Sequence, residues 1–334
     1  MRSFYRRQKV GARARTMCRQ MPPQWSGTNV AEKRYGTIHP IAQQPDAPMW
    51  LFAPSGAVRD PWRSRGLELL RRTGRPLLTG ESLDARPSPF SAGSAELRLR
   101  DWRQGLAHGA TAMLPARGGY GAVHLLEQAP LDETAERAPL WIGSSDCTFL
   151  QTALLQQTGL INVYSPMPCG QAADGDEVSA EALLALLSGK GCPTHLSASE
   201  QPVPGATEGE LRGGCLSILA ALCGTRWQPD GRDAVLLIED VAEAPYRVER
   251  MLETLRLAGV MDGCRGIVFG TFPGCVDRSG NPDLIRDVLR TWSRRLGIPT
   301  LLGVPVGHGP GALPVPLGLP VRIEHATLTL LEAL

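Results

Sequence analysis

Short apolar runs alternate with stretches of helical spacing along most of this chain, and this alternation constrains its fold more than any other feature. The stretch MWLFAPSG, from Met49, is typical of a buried strand that ends in a tight turn, and further apolar runs follow at 110–114, 140–142 and 160–163. Repeated strand–helix units of this kind build a mostly parallel sheet with helices on both faces. We therefore expect a doubly wound α/β domain that begins at Met49.

The first helix of this domain has recognisable boundary signals. Asp60 is a candidate N-cap, Pro61 suits the first helical position, and Gly74 suits the end of the helix. Trp62, Gly66, Leu69 and Leu70 would share its buried face.

The chain has 334 residues, which favours two domains. After Tyr164 the stretch SPMPCGQAADGDE is rich in Pro, Gly and Asp, as expected of an exposed connection. We place an N-terminal α/β domain at 49–164, a linker at 165–179 and a C-terminal domain at 180–334. The C-terminal domain should be richer in β-structure, with helices near 180–187 and 246–257, strands at 235–238 and 266–269, and a β-branched tail from Leu313.

The charge is unevenly distributed. Residues 1–48 hold nine Lys and Arg against two Asp and Glu, a net +7, whereas the remaining residues carry a net −5. An acidic body disfavours nucleic acid as a partner, because a phosphate-binding face needs surplus positive charge. Neither the apolar run of a signal peptide nor a membrane span of about 20 apolar residues is present in the sequence. We expect a cytoplasmic protein in which residues 1–48 are a disordered tail, or an upstream extension of a chain that starts at Met49.

Cysteine and histidine patterns give no support for a metal or redox site. The eight cysteines include no C-x-x-C pair, and the six histidines form no H-x-x-x-H or H-E-x-x-H motif. Buried, chemically indifferent thiols are the simplest interpretation. We expect no cofactor and no metal.

A serine lies at a strand-to-helix corner. PLWIGSSDCTFLQTALLQQTG combines an apolar strand, a Gly143-Ser144-Ser145-Asp146 turn and a helix that ends before Gly159. Such a nucleophile elbow exposes the hydroxyl, here that of Ser145, and directs the next N–H, that of Asp146, towards a developing oxyanion. Cys147 stands where the usual G-x-S-x-G signature has its last glycine. The alternative is that one of these polar side chains caps the following helix.

Two residues are placed to complete a triad with such a serine. Glu239 lies at the carboxyl end of the apolar strand in DAVLLIEDV, and TLLGVPVGHGPGA delivers His308 into a glycine-rich loop. Ligands of α/β sheets bind outside the carboxyl ends of strands, where Ser145, Glu239 and His308 should all lie. Alternatively, Glu239 pairs with Arg247 and His308 faces solvent. The other histidines, at positions 39, 108, 124, 195 and 325, lack this setting.

A further strand-to-loop corner is MLPARGGYGAVHLLE, in which glycines allow the backbone to approach a ligand closely. The N–H of Gly119 is a candidate second oxyanion donor. A purely structural tight turn is the alternative.

Taken together, these motifs resemble one family, the LD-carboxypeptidases, which are the muramoyltetrapeptide carboxypeptidase group of serine peptidases. The motifs occur in the family's order: ARGGYGA, the turn of IGSSD, RGGCLSILAALCGT, LIEDVAEAPYRVERML and VGHGPGALPVPLG. The resemblance extends from Met49 to about Gly318, nearly all of the expected ordered chain.

The resemblance implies a Ser-His-Glu hydrolase that removes terminal D-alanine from cytoplasmic murein tetrapeptides during peptidoglycan recycling. Ser145 matches the nucleophile, His308 the base and Glu239 the acid that orients it, in a cleft between an N-terminal α/β and a C-terminal β-rich domain. It further implies a muropeptide substrate, no cofactor and a homodimer. Arg117 would bind the substrate's terminal carboxylate, or else form a structural salt bridge.

Two positions depart from the family pattern: Cys215 stands where asparagine usually follows the glycine pair, and Val315 replaces leucine before Pro316. The first removes an amide near the expected site and leaves the triad intact. Two alternatives remain: a peptidase of the microcin-immunity kind that cleaves peptidyl-nucleotide toxins, and a non-catalytic muropeptide-binding protein. The retention of Ser145, Glu239 and His308 argues against the second.

Overall fold

The computed structural model describes residues 44–332, so the expectations for residues 1–48 lie almost entirely outside the described residues. The strands of this part of the chain, in order, are Met49–Phe52 (β1), Leu77–Thr79 (β2), Pro87–Ser88 (β3), Ser91–Ala92 (β4), Ala112–Pro115 (β5), Leu140–Gly143 (β6), Asn162–Tyr164 (β7), His195–Ser197 (β8), Glu200–Val203 (β9), Thr207–Cys215 (β10), Ala234–Glu239 (β11), Gly266–Phe269 (β12), Thr300–Leu302 (β13), Val315–Leu317 (β14), Pro320–Glu324 (β15) and Thr327–Leu330 (β16).

The α-helices are Trp62–Arg71 (α1), Ala95–Ala107 (α2), Leu131–Arg137 (α3), Thr148–Thr158 (α4), Glu177–Leu187 (α5), Leu216–Leu222 (α6), Pro245–Leu257 (α7) and Asp283–Leu296 (α8). Short 3₁₀ segments lie at Glu81–Asp84, Ala122–Gln128, Ser145–Cys147 and Gln171–Ala173. The helices and strands predicted from the apolar runs are confirmed, with boundaries that differ by a few residues.

The first sheet has the order β14-β7-β6-β5-β1-β2. Its strands are parallel except for β14, which comes from the C-terminal part of the chain and pairs antiparallel with β7. Both faces are covered by helices: Met49 and Leu51 of β1 pack in one buried cluster, and Trp50 and Phe52 pack in another. Burial on both faces explains why these strands are continuously apolar rather than alternating.

The second sheet has the order β8-β16-β15-β10-β11-β12-β13-β9. Its central strands β10 to β13 are parallel, and the outer strands on both sides are antiparallel. The expected α/β class, with a parallel N-terminal sheet and a β-rich second domain, is therefore confirmed. In both sheets the carboxyl ends of the central parallel strands carry the polar residues that the sequence singled out.

Two details differ from expectation. Helix α1 begins at Trp62 rather than at Pro61, although the carboxylate of Asp60 still accepts hydrogen bonds from the N–H and hydroxyl of Ser64. Trp62, in the first turn, is 39% exposed and does not join the buried face.

The segment predicted to be an exposed linker is largely packed. Cys169 and Ala172 are buried, and helix α5 lies in the same core cluster as Met49 and Leu51 of the first sheet. The leucines of α5 need an apolar face to cover them, and the first sheet supplies it. The Pro- and Gly-rich composition here reflects tight turns against that sheet rather than solvent exposure.

Within the described part of the chain, no helix is long and apolar enough to cross a membrane.

Candidate active site

Four polar residues lie at or after the carboxyl ends of strands and belong to one hydrogen-bonded network, which Ser145 joins through its backbone N–H. Ser145 follows β6, Tyr164 ends β7, Glu239 ends β11, and His308 stands in the loop after β13. The first two come from the first sheet and the last two from the second. The carboxyl ends of parallel strands lie at one edge of a sheet. Here the two edges lie side by side, so that Tyr164 of the first sheet contacts Glu239 of the second.

Ser145 occupies a strained turn. Its φ of +57° lies in the left-handed region, which costs a residue with a side chain about 1–3 kcal/mol and is characteristic of functional sites. Neither Ser144 nor Cys147, at the N-cap positions of the 3₁₀ segment and of α4, makes a side-chain capping bond. The capping interpretation therefore fails, and the backbone has the geometry of a nucleophile elbow.

The glycine-rich loop after β5 lies directly against this serine. A Cβ placed on Gly118 would lie 2.6 Å from Ser145 Cβ, 2.7 Å from Ser145 Oγ and 3.4 Å from the backbone nitrogen of Asp146. Only glycine leaves room here for the serine side chain. The carbonyl of Gly118 accepts a hydrogen bond of 3.1 Å from the N–H of Gly56, which fixes the peptide that carries the N–H of Gly119.

A buried pair of charges holds this loop in place. Arg98 is 1% exposed and donates to the carbonyls of Pro54 and Gly121 at 2.6 and 2.8 Å. Asp146 is 2% exposed and accepts a 2.8 Å hydrogen bond from the N–H of Ala122. Burial raises the pKa of Asp146, although its hydrogen bonds and the charge of Arg98 act in the opposite direction. The Asp146 side chain is thus structural, and its backbone N–H is left at the elbow.

Two backbone N–H groups beside Ser145 are free to bind a ligand. Within residues 44–332 neither the N–H of Gly119 nor that of Asp146 donates to another group of the protein. By contrast, the N–H of Ser145 donates to the hydroxyl of Tyr164 at 3.1 Å. The two predicted donors therefore have no acceptor within the described part of the chain.

Glu239 and His308 form a tightly bonded pair. Glu239 is fully buried, and its Oε2 accepts hydrogen bonds from His308 Nδ1 at 2.7 Å and from the His308 N–H at 3.1 Å. Gly307 makes this approach possible, because its φ is +110° and a Cβ there would lie within 2.3 Å of Glu239 Oε2. Arg247 contacts Glu243 instead, so the alternative pairing with Glu239 is wrong.

The pair leaves one nitrogen of the imidazole free to act. Because Nδ1 donates to the carboxylate, Nε2 is the basic nitrogen of neutral His308. Burial lowers the pKa of His308, but the hydrogen bond and charge of Glu239, together with the charge of Asp240, outweigh it and raise the pKa above its ordinary value. The side chain is 22% exposed and so remains accessible from solvent.

Tyr164, which the sequence analysis did not select, connects the two halves of the site. Its hydroxyl accepts from the N–H of Ser145 and donates to Glu239 Oε1 at 2.5 Å. Its place at the carboxyl end of a strand is the signal that could have identified it, since the same rule selected Glu239.

The hydroxyl of Ser145 is not yet bonded to the imidazole. Within the described chain its Oγ makes no hydrogen bond, so Ser145 joins His308 and Glu239 only through its backbone and Tyr164. Catalytic hydrogen bonds are often long before substrate binds and tighten in the complex.

Arg117 belongs to the glycine-rich loop after β5, and its guanidinium lies near Gly56 and Gly119. Its guanidinium donates to the carbonyl of Ala57 at 3.5 Å, and Nη2 lies 3.9 Å from the position of a Cβ on Gly119. Among residues 44–332 it forms no ion pair, so the salt-bridge interpretation fails. The charge of this half-buried side chain is therefore available to a ligand.

Among residues 44–332, the other histidines take no part in the hydrogen-bonded network described above. His39 is outside the described residues, and His108, His124, His195 and His325 are exposed. Within the described part of the chain, no group of three or more His, Cys, Asp or Glu residues is arranged to hold a metal ion.

Comparison with known proteins identifies similar sequences over the whole region of the site. Residues 50–165 match the LD-carboxypeptidase N-terminal domain, and residues 208–323 match the LD-carboxypeptidase C-terminal domain. The first match contains Ser145, and the second contains Glu239 and His308.

Some of the relatives are named as carboxypeptidases and others as microcin self-immunity proteins. A Bacillus subtilis protein provisionally named a murein peptide carboxypeptidase is 32% identical over 246 residues, 72% of this chain and 77% of the relative. The microcin C7 self-immunity protein of Escherichia coli is 25% identical over 292 residues, 78% of this chain and 84% of that protein. The crystal structure of muramoyltetrapeptide carboxypeptidase from Oxalobacter formigenes aligns with a TM-score of 0.74 at 26% identity, covering 85% of this chain and 97% of that one.

Gly118→Ala should block the serine without straining the backbone. The new methyl group would collide with Ser145, and a displacement of about 1 Å can lower reactivity about 100-fold. The rate at which a fluorophosphonate labels Ser145 measures this. Gly170→Ala is the matched control, because a Cβ there meets nothing closer than 3.6 Å. Equal labelling of both variants would contradict the close packing of Gly118 on Ser145.

His308→Gln should reduce stability more in acid than in base. The folded-state pKa of His308 is raised, so its contribution to stability is complete below the unfolded-state value and is lost as pH rises through the folded-state value. Urea unfolding at about pH 5.5 and about pH 9 measures the difference.

Thr271→Val is the control for this comparison. It removes the 2.8 Å bond from the N–H of Gly309 in the same loop without removing a titrating group. Its effect on the free energy of unfolding should be equal at both pH values. An effect of His308→Gln that does not change with pH would refute the charged pairing with Glu239.

Proposed function

Since the chain belongs to the LD-carboxypeptidase family, we propose that it is a serine carboxypeptidase that releases terminal D-alanine from murein tetrapeptides. The observation that carries the proposal is one hydrogen-bonded network that contains a strained serine, a fully buried glutamate and a histidine bonded to it. Ser145 is the nucleophile, His308 the base and Glu239 the acid that orients it. No cofactor is required.

The hydrogen bond between His308 and Glu239 determines which nitrogen acts as the base in acylation. Nε2 of His308 takes the proton of the Ser145 hydroxyl as its oxygen attacks the carbonyl of the L-to-D peptide bond. The imidazolium is stabilised by Glu239, with its Nδ1–H already donated to Oε2. His308 then gives the proton to the leaving amine of D-alanine, and an ester with Ser145 remains. His308 next deprotonates a water molecule that attacks this ester, which releases the shortened peptide and restores the serine.

The oxyanion of each tetrahedral intermediate is bound by the N–H groups of Asp146 and Gly119. Both are unused within the described chain; Asp146 directly follows Ser145, and Gly119 directly follows the glycine that packs against Ser145. The N–H of Asp146 also lies at the N-terminal end of the helical segment that continues into α4, where the partial charge is positive. One such donor contributes about 3–4 kcal/mol to transition-state stabilisation.

Substrate binding brings about the hydrogen bond between the Ser145 hydroxyl and the His308 imidazole, which the free site lacks. A peptide carbonyl placed between the two N–H groups and Ser145 excludes water and brings the hydroxyl to His308. Arg117 binds the terminal carboxylate of the substrate, since its charge is not satisfied by a carboxylate of the described chain. A free carboxylate at this position is what distinguishes a carboxypeptidase substrate from an internal peptide bond.

The wider setting follows from the same proposal. The substrate is a muropeptide released during peptidoglycan recycling, and the protein acts in the cytoplasm as a homodimer. The name of the Oxalobacter formigenes structure supports a muramoyl tetrapeptide as substrate.

A second candidate is hydrolysis of a peptidyl-nucleotide toxin, favoured by the similarity to the microcin C7 self-immunity protein. The same triad would serve, and only the group that leaves would differ. Parallel assays with a muramoyl tetrapeptide and a peptidyl adenylate analogue separate the two, because preference appears directly as a ratio of kcat/KM values.

Ser145→Ala should abolish release of alanine from muramoyl tetrapeptide, lowering the rate at least about 1,000-fold. Mass spectrometry detects the loss of one alanine. Ser144→Ala is the matched control, since Ser144 is the neighbouring buried serine and takes no part in the network. An inactive wild type, or an active Ser145→Ala variant, would disprove the proposed reaction. If the inactive wild type still binds muropeptide, the non-catalytic alternative is supported.

Arg117→Gln should reduce the preference for a free terminal carboxylate. Loss of a charge-assisted hydrogen bond predicts a fall in kcat/KM of about 10- to 100-fold with tetrapeptide. Activity on the same peptide with an amidated terminus should change little, so the amide serves as the internal control. A similar fall with both substrates would assign Arg117 to the structure of the loop instead.

A further inference from the structure

Tyr164 joins the nucleophile to the acid through two hydrogen bonds. It is the last residue of β7 and is 1% exposed. Its hydroxyl lies 3.1 Å from the backbone nitrogen of Ser145 and 2.5 Å from Glu239 Oε1. The remaining oxygen of the carboxylate is bonded to His308. The hydroxyl therefore contacts Ser145 and Glu239 at once and reaches His308 through the carboxylate.

The direction of both hydrogen bonds is fixed by chemistry. A backbone N–H can only donate and a carboxylate can only accept, so the Tyr164 hydroxyl accepts from Ser145 and gives its single proton to Glu239. Burial and the nearby charge of Glu239 raise the pKa of Tyr164 well above its ordinary value, which keeps the phenol protonated. The tyrosine is thus held in one orientation by its partners.

The second sheet is shaped to admit this ring. Gly214, in β10, has a φ of +142°, and a Cβ there would lie 2.8 Å from Thr148 Oγ1 and 3.0 Å from Tyr164 Cε2. Its neighbour Gly213 has a φ of +122°, and a Cβ would collide with the carbonyl of Leu237. The glycine pair thus lets β10 lie against β11 on one side and against the tyrosine on the other. Cys215, the next residue, pairs in register with Glu239.

We propose that Tyr164 is a positioning residue of the reaction, which aligns the Glu239 carboxylate for His308 and holds the strained turn of Ser145. The inference rests on the proposed serine mechanism. The hydroxyl keeps Oε1 occupied, so that Oε2 alone faces the imidazole, and it secures the N–H of Ser145 while the serine Oγ stays free to attack. Because that N–H is taken, the oxyanion must be bound by Asp146 and Gly119.

The alignment has an electrostatic consequence for the base. A hydroxyl that donates to Glu239 withdraws negative charge from the carboxylate and weakens its hold on a protonated imidazole. Removing it should strengthen that hold and raise the pKa of His308 further. The other titratable groups around the pair are Asp240, which follows Glu239, and the thiols of Cys215 and Cys275. Burial raises the pKa values of these three groups. A Tyr164 variant keeps all three groups, so a change in the pKa of His308 would come from the lost hydroxyl.

Tyr164→Phe tests the proposal, with the second-order rate of Ser145 phosphonylation by a fluorophosphonate measured as a function of pH. This probe reports the reactivity of the serine independently of the natural substrate. We expect the plateau rate to fall about 10- to 100-fold, the loss that is typical when the hydrogen-bond partner that orients a metal-ligating residue is removed. The acid limb, where His308 must lose its proton, should move to higher pH.

A matched control separates positioning from stability. Thr134→Val also removes a buried hydroxyl that accepts one hydrogen bond, from Trp102, and donates another, to the carbonyl of Pro130. It should lower the free energy of unfolding without changing the labelling rate or its pH profile. A second substitution, of Tyr164 by a fluorotyrosine, keeps the hydroxyl but makes it a stronger donor. It should move the acid limb in the opposite direction, to lower pH.

The outcomes distinguish the inference from the function on which it rests. If the wild type is labelled at Ser145 and Tyr164→Phe reacts at the same rate with the same pH profile, the positioning role is wrong. A fall in rate with an unchanged profile in both Tyr164 variants would also overturn it, since a structural role would suffice. If the wild type is not labelled at Ser145, the proposed serine mechanism itself fails.

Discussion

The buried carboxylate of Glu239 is the constraint on which the rest of the site depends. A carboxylate withdrawn from water is stable only if hydrogen bonds replace its solvation. Three are present: from the hydroxyl of Tyr164, and from the N–H and Nδ1 of His308. Each requires a close approach, and glycine provides it where a side chain would intrude, as at Gly307 beside Oε2 and Gly214 beside the tyrosine ring. Gly307 and Gly214 therefore leave the space that the buried carboxylate and its tyrosine partner occupy.

The same carboxylate couples the two sheets. Tyr164 belongs to the first sheet and Glu239 to the second, so their 2.5 Å hydrogen bond crosses between them. A further contact joins the second sheet to the helix that follows β6: the N–H of Cys215 in β10 donates to Thr148 Oγ1 at 3.2 Å. A triad divided between two sheets needs such ties, because small displacements of a reacting group are costly in rate.

Local patterns made much of this predictable from sequence, and long-range contacts account for the rest. Ser145, Glu239 and His308 could be selected because each follows an apolar strand, and the rule about strand ends needs no knowledge of packing. Tyr164 also ends a strand, but its role depends on a partner 75 residues away. The packing of helix α5 against the first sheet could not be predicted for a similar reason: its apolar face is evident in the sequence, whereas the sheet that covers it is not.

Cys215, which the sequence analysis expected to stand in place of an asparagine, leaves the network intact. Its thiol lies 3.3 Å from the hydroxyl of Ser217 and 3.6 Å from Asp240, which accepts from the N–H groups of Ser217 and Val241. Burial raises the pKa of Cys215 well above its ordinary value, and the charges of Glu239 and Asp240 add to this, so the thiol stays neutral. A neutral thiol adds no charge beside Glu239. It competes for neither oxygen, because both already have stronger donors in Tyr164 and His308. The thiol therefore packs beside the acid without taking part in the bonds that join Glu239 to Tyr164 and His308.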